Sequence, residues 1–265
     1  MQPKRKQLED LLTAISRVFT ISLTIMIMWM SHFWSEQKSL LNNSNISING
    51  SSVLSSDYYL EYLVSSIDGE IFYSDPNIIL DKIYEHPFIK GAKVSYRYPD
   101  KIILEICERI PFARVNNGPD QMIMLDKDCF VIPNIEQVKN YSVPTLSKFN
   151  SDPELYPIGE PALSVKIKDT IDWLRSLNQK HPDLYHSISE IFLTNNDEIN
   201  LILAENPTKI MLGNNNTHYK IDLLKAFERT MGNKKEITDF AYLDMRYNNQ
   251  VVVKGLRKEV LAFLV

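Results

Sequence analysis

Two cysteines and eight glycines are all that the 265 residues hold of either type. Two cysteines cannot build a disulfide framework or a four-cysteine zinc site. So few glycines leave little for phosphate-cradling loops, and no P-loop or dinucleotide glycine pattern occurs. H-E-x-x-H and G-x-S-x-G are missing as well. His181 and His186 lie five residues apart with Pro182 between them, so they share no helical face and read as solvated loop residues. Asp126 and Asp128 read as turn chemistry, not paired catalysts. Positive charge is also short: a net charge of −4 argues against a nucleic-acid binder. Neither a fixed-period repeat nor a low-complexity segment occurs. Nothing here asks for a metal, a cofactor or a small-molecule substrate.

What the chain does have is one dense apolar run inside a composition (44% hydrophobic, 23% charged) typical of a folded protein. Val18 to Trp34 contains no Asp, Glu, Lys or Arg. As a helix it is about 26 Å long, the short end of what crosses a bilayer core. Thr20, Ser22 and Thr24 are tolerable there because helical hydroxyls bond back to preceding carbonyls. Trp29 and Trp34 suit the interface. Lys4, Arg5, Lys6 and Arg17 outweigh Glu9 and Asp10 upstream, while the first charge downstream is Glu36. That asymmetry predicts an inside N-terminus and an outside remainder. The rival, a cleaved signal peptide, lacks its small-residue cleavage pattern. Beyond the run the chain carries −6.

The expected organisation is a cytoplasmic tail (1–17), a transmembrane anchor (18–34), a tether (35–45), a first domain (46–110), a β-rich domain (111–255) and a tail (256–265). In the first domain Ile46 and Ile48 alternate before Gly50. Ser56-Asp57 can cap a helix bearing Tyr59, Leu60, Leu63 and Val64. Asp75-Pro76 starts another, with Ile79, Leu80, Ile83 and Tyr84 as its stripe and His86-Pro87 as its stop. Val94, Tyr96 and Tyr98 alternate on one strand, and Ile102, Leu104 and Ile106 on the next. Strand, helix, helix, strand, strand packs two helices on one face of a three-stranded sheet.

In the second domain Met122–Leu125 and Phe130–Ile132 flank a hairpin turn at Asp126-Lys127-Asp128-Cys129. Helices are expected at Val165–Leu177 and Tyr219–Met231. Strands are expected at Ile188–Leu193, Ile199–Leu203, Lys209–Leu212, Phe240–Arg246 and Val251–Val253, with a turn at Asn248-Asn249. Cys107 and Cys129 read as two buried or half-buried free thiols, with a bridge as the alternative. Triplets such as Asn45-Ile46-Ser47 arise by chance in an Asn-rich chain.

Several patterns together resemble the FtsQ/DivIB family of bacterial division proteins. Ile46-Ser47-Ile48-Asn49-Gly50 is similar to its opening strand. The segment from His86 to Val94 resembles its P-aromatic-V-x-x-A-x-V stretch. Tyr98-Pro99-Asp100 matches its aromatic-Pro-Asp turn, and Glu108-Arg109-Ile110-Pro111-Phe112-Ala113 its E-R-x-P-x-A joint. Ile210-Met211-Leu212-Gly213 and Tyr242-Leu243-Asp244-Met245-Arg246-Tyr247 resemble its v-x-L-G and Y-x-D-x-R-Y motifs. Phe88 and Tyr98 stand where the family usually has tryptophan, and Cys129 where it has glycine.

The resemblance implies an α+β fold with a single N-terminal transmembrane helix, a POTRA-like βααββ domain and a β-rich domain with two helices. It implies no catalysis and no cofactor. The implied role is that of a divisome scaffold linking early and late division proteins, in the cytoplasmic (inner) membrane at the septum. Its implied partners are FtsB- and FtsL-like proteins and septal peptidoglycan synthases, with binding by strand addition at the last strand. Candidate contacts are Tyr247, Asn248, Asn249, Gln250, Val251, Val252 and Val253. Tyr242, Asp244 and Arg246 should share one strand face, with Asp244 and Arg246 close enough to pair. The alternatives are a membrane-anchored envelope hydrolase or transferase, which needs a constellation not found here, and a secretion accessory bearing POTRA units, which tends to repeat them.

Overall fold

The computed structural model describes residues 3–37, 46–67, 76–97, 101–116, 122–232, 235–247 and 250–255. Helix α1 (Pro3–Gln37) contains the apolar run and extends past it at both ends. Its stretch Ile15–Phe33 is long and apolar enough to cross a membrane, and none of it is buried in protein. The expected back-bonding is present. Thr20 Oγ1 donates to the carbonyls of Ser16 (3.1 Å) and Arg17 (2.9 Å). Thr24 Oγ1 donates to those of Thr20 (3.1 Å) and Ile21 (2.8 Å). Trp29 stacks on Phe33 at 5.7 Å.

The chain divides into two compact units, Met1–Ser51 with Ser55–Ile83 and Ala92–Ile106, and Ser52–Leu54 with Tyr84–Gly91 and Cys107–Val265. Strand β1 (Ile46–Asn49), helix α2 (Ser56–Ser66) and helix α3 (Pro76–Tyr84) come first. Then follow β2 (Ile89–Arg97) and β3 (Lys101–Glu108), in sheet order β1-β3-β2. Strand β1 runs parallel to β3, with Ile46 opposite Ile102 and Ile48 opposite Leu104. The cap of α2 is Ser55, one residue before the expected pair: its hydroxyl accepts from Tyr58 N at 3.1 Å. Asp75, the expected cap of α3, and the turn Tyr98-Pro99-Asp100 lie outside the described residues. Tyr59, Leu63, Ile79, Ile83 and Leu104 are fully buried. Gly50 has φ +91°, and a Cβ there would meet the Ile106 carbonyl oxygen at 2.1 Å, so only glycine fits.

The second unit holds β4 (Pro111–Asn116), β5 (Met122–Asp126), β6 (Val131–Pro133) and β7 (Thr145–Ser147). Helices α4 (Val165–Lys180) and α5 (Pro182–Ser187) follow. After them come β8 (Ile188–Leu193), β9 (Ile199–Leu203), β10 (Lys209–Gly213), helix α6 (Thr217–Met231), β11 (Phe240–Asp244) and β12 (Val252–Gly255). They make a nine-stranded sheet ordered β12-β11-β10-β9-β8-β7-β4-β5-β6. Its core includes Val131, Leu146, Ile171, Leu174, Ile191, Leu201, Ile210, Leu224 and Leu243.

Several expectations need correction. Strand β11 stops at Asp244, short of Arg246, where the backbone and side chain of Arg246 fold back onto the Asp244 carboxylate. Strand β12 starts at Val252, so Val251 is outside it and packs instead against the core. His186 lies in α5 with its ring 5.1 Å from that of Tyr185. His181 ends α4, and its Nε2 lies 3.4 Å from Asp222 Oδ1 with little side-chain exposure. His186 is exposed as expected but sits on a helix, not a loop, and His181 is half-buried at a helix end.

Candidate functional site at the open sheet edge

Strand β12 is an end strand, with β11 as its neighbour on one side only among the described residues. The pairing is antiparallel and sets Leu243 opposite Val253, Asp244 opposite Val252, and Tyr242 opposite Lys254. Opposed residues point to the same sheet face. Leu243 is wholly buried, yet Val253 on that face is 39% exposed. The apolar layer therefore runs out at the last strand. On the other face Val252 is 43% exposed, and Lys254 Nζ lies 5.9 Å from the Tyr242 ring centroid. Edge strands carry an outward row of backbone donors and acceptors, a template for another strand.

The chain leaves β11 through a charge cluster. Asp244 is buried, and Arg246 folds back onto it with three hydrogen bonds. The backbone N donates to Oδ1 at 3.1 Å. Nε donates to Oδ1 at 2.9 Å and the guanidinium to Oδ2 at 2.7 Å. The Arg246 hydrogen bond holds the Asp244 carboxyl below the usual range, against the opposing effect of burial. Glu198 lies 3.6 Å from the same guanidinium. Lys220, buried nearby, donates to the Leu212 carbonyl at 2.6 Å. Burial lowers its pKa, while Asp244 and Glu198 oppose that.

Asp244 and Arg246 pair as expected, but not by strand alternation: Arg246 has left the strand. Gly213 has φ +77°, and a Cβ on it would crowd Lys220 Nζ at 3.3 Å. Met245 N bonds the Met211 carbonyl at 2.9 Å and its side chain is buried. The ring of Tyr247 is 56% exposed. Of the seven expected contacts, Val252 and Val253 lie on the edge strand, and Tyr247 and Gln250 are exposed beside it. Val251 turns inward. Asn248 and Asn249 lie outside the described residues. The strand continues through Lys254 and Gly255, which the run of valines hides by ending before a charge. Glu198 and Lys220, distant in sequence, gave no signal at all.

The E-R-x-P-x-A joint serves structure. The Glu108 carboxylate accepts from the backbone N–H groups of Ser52, Val53 (2.7 Å) and Leu54 (2.9 Å). Arg109 donates to Asp126 Oδ2 at 2.8 Å, with its guanidinium 3.5 Å from the Phe130 ring centroid. Asp126 Oδ1 also accepts from the N–H groups of Asp128 and Phe130, which makes it the turn residue expected. Cys129 takes the left-handed backbone, φ +65°, that glycine would adopt. Both cysteines are free thiols. Cys129 is buried, which pushes its thiol up to about 11, while Cys107 is exposed, contrary to expectation, because it lies on the outward side of β3. Among the described residues no cluster of three or more His, Cys, Asp or Glu could hold a metal ion.

Comparison with known proteins gives one consistent answer. Residues 110–254 match the family model described as FtsQ/DivIB, C-terminal related. Residues 41–109 match that of the POTRA domain, FtsQ-type. The chain is 23% identical over 184 residues to a cell division protein FtsQ of Syntrophotalea carbinolica, covering 69% of this chain and 63% of that one. Less than two thirds of that relative's length is therefore spanned. A cell division protein DivIB of Clostridium tetani is 25% identical over 194 residues, covering 71% and 69%. A cell division protein FtsQ of Aliivibrio fischeri is 23% identical over 241 residues, covering 90% and 85%.

Proposed function

Because this chain belongs to the FtsQ/DivIB family of cell division proteins, we propose that it is a non-catalytic, single-pass scaffold of the bacterial divisome. Helix α1 anchors it in the cytoplasmic membrane with the N-terminus inside, and residues 46–110 and 111–255 form its two outer domains. An FtsB-like partner adds a strand to β12, and an FtsL-like protein joins the same assembly. Through these contacts the chain links early and late division proteins and regulates septal peptidoglycan synthesis.

The observation that supports this reading is the open edge of β12, with Val253 half-exposed on the face where Leu243 is buried. A partner strand would continue both the hydrogen-bond ladder and the apolar layer. Four or five backbone bonds at about 0.5–1.5 kcal/mol each make a modest affinity. Anchoring both proteins in one membrane raises their effective concentration and compensates.

The test is co-purification from membranes. Val252→Pro removes a backbone donor and stiffens the edge, and Tyr247→Ala removes the exposed ring beside it. Each should abolish recovery of the FtsB-like protein while leaving the melting midpoint of the chain within a few degrees. Depletion should give filaments. Normal division after depletion would sink the scaffold reading, and undiminished recovery with Val252→Pro would sink the edge.

A further inference from the structure

The pairing of the last three strands fixes which backbone groups of β12 face outward. Met245 N donates to the Met211 carbonyl of β10. Backbone groups alternate sides along a strand, so those of Leu243 also face β10, while those of Tyr242 and Asp244 face β12. Their partners in the antiparallel pairing, Lys254 and Val252, face back toward them. Val253 lies between the two, and both its N–H and its C=O are turned away from β11. Its side chain is 39% exposed on the sheet face where Leu243 is wholly buried. The outward groups and the unfinished apolar layer thus meet at one residue, the middle of Val252-Val253-Lys254.

We propose that a second copy of this chain occupies the edge, the two β12 strands pairing antiparallel about a two-fold axis at Val253, and that this self-pairing withholds the edge from a partner strand. The register is self-complementary. Val253 meets Val253 of the other copy as a hydrogen-bonded pair and exchanges two backbone bonds with it. Residues opposed across a ladder share a face, so the apolar layer runs on from one Leu243 to the other. On the opposite face each Lys254 stands across from Val252 of the other copy. Val252 is 43% exposed and can cover the aliphatic stem of that lysine. The neighbouring registers fit less well. One step on, Lys254 would face Lys254, the like-charge contact by which a lysine guards an edge. One step back, Val253 would face Val251, which already packs against its own core. A two-fold contact of this kind closes at two copies. Its few backbone bonds make it weak in solution, and anchoring both copies in one membrane raises their effective concentration. The self-pairing stands on the geometry of β12 alone, whereas the withholding rests on the strand-addition reading.

The test places single cysteines in the full chain carrying Cys107→Ser, with the buried Cys129 left in place. The protein is reconstituted in lipid vesicles and oxidised with copper-phenanthroline. Across the proposed axis the two Val253 Cα atoms lie about 5.5 Å apart, within disulfide reach. The two Val252 or the two Lys254 Cα atoms lie about 8 Å apart, beyond it. Val253→Cys should therefore form the disulfide dimer about tenfold faster than Val252→Cys or Lys254→Cys. Val252→Glu added to Val253→Cys sets two carboxylates opposite two lysines and should speed dimer formation about threefold. Equal rates at the three positions would mean chance collision, and a maximum at 252 or 254 another register. Either result overturns the proposal, as does slowing by Val252→Glu. Should the Val252→Glu chain fail to fold by circular dichroism, the cysteine scan decides alone. The locked Val253→Cys dimer should recover none of the strand-donating partner until it is reduced. Recovery by the locked dimer would overturn the withholding. A reduced chain that recovers none would sink strand addition and the withholding with it, while the scan still decides the self-pairing.

Discussion

The two ends of the nine-stranded sheet are finished in opposite ways. At the β6 end Val131 and Ile132 are wholly buried, and the strand closes on Pro133. Its outward side is occupied: Val131 N donates to the Glu160 carbonyl and Gly159 N to that of Val131, both at 2.9 Å. The loop that supplies these bonds lies against Pro87. At the β12 end Val252 to Gly255 are all exposed. A free sheet edge invites pairing with another chain, and proteins blunt it where pairing is unwanted. Among the described residues, one edge is blunted by a loop and a proline, and the other has Lys254 alone as a guard. In the proposed reading the asymmetry separates a structural edge from a docking edge, and it can be tested by perturbing each end.

The largest effect should come from the closed end. Asp126→Ala leaves Arg109, 11% exposed, without its carboxylate and leaves two backbone N–H groups of the turn without the side-chain oxygen that accepts from them. Breaking a buried ion pair by removing one partner costs about 3–5 kcal/mol. Urea unfolding of the full chain should show that loss. A loss under about 1 kcal/mol would mean that the joint does not hold this end.

Matched truncations compare the edges directly. Ile132→Ala removes a wholly buried side chain from β6 and should cost about 2–5 kcal/mol. Val253→Ala, at a half-exposed site on β12, should cost under about 1 kcal/mol. The same variant should weaken recovery of the partner, inverting the order of effects. Equal costs in stability would break the distinction between the two edges.

A pH dependence belongs to the closed end as well. His86 is buried one residue before Pro87, and burial lowers its pKa from 6.5 to about 4, with Glu108 opposing. The folded state therefore disfavours the proton that the unfolded chain accepts. The stability tied to neutral His86 is complete above pH 6.5 and drains away as pH falls from there through 4. Against His86→Gln, the native chain should lose about 2 kcal/mol more between pH 7.5 and 4.5. Parallel pH profiles for the two would show that the imidazole is not responsible.

How far the sequence showed these features depends on their range. Local patterns were readable: the long N-terminal apolar helix, the helix stripes of Tyr59/Leu63 and Ile79/Ile83, the Asp126 turn and the glycine at position 50. Short strands with no alternation to reveal them, such as Thr145–Ser147, were not, since three residues carry no period. The stop of β11 at Asp244 was hidden because alternation cannot anticipate a side chain folding back on its own strand. The open edge could be expected, yet its backing by Glu198 and Lys220 depends on segments that only the tertiary fold brings together.

The smallest predicted effect concerns the turn that leads into the closed edge. Cys129 holds φ +65°, where a side chain costs about 1 kcal/mol relative to glycine. Cys129→Gly relieves that strain and supplies the residue best suited to the conformation. Against it stand the greater freedom of glycine in the unfolded chain, about 0.5–1 kcal/mol, and the loss of a buried thiol that belongs to the core of the unit. The opposing effects nearly cancel, so the midpoint of urea unfolding should move by less than about 1 kcal/mol in either direction. Cys129→Val separates the contributions: it keeps the apolar bulk but places a β-branched residue at positive φ, and should cost about 1–3 kcal/mol. A valine variant as stable as the glycine one would mean that the hairpin can adopt another turn, and that the closed edge is held by its loop rather than by its turn.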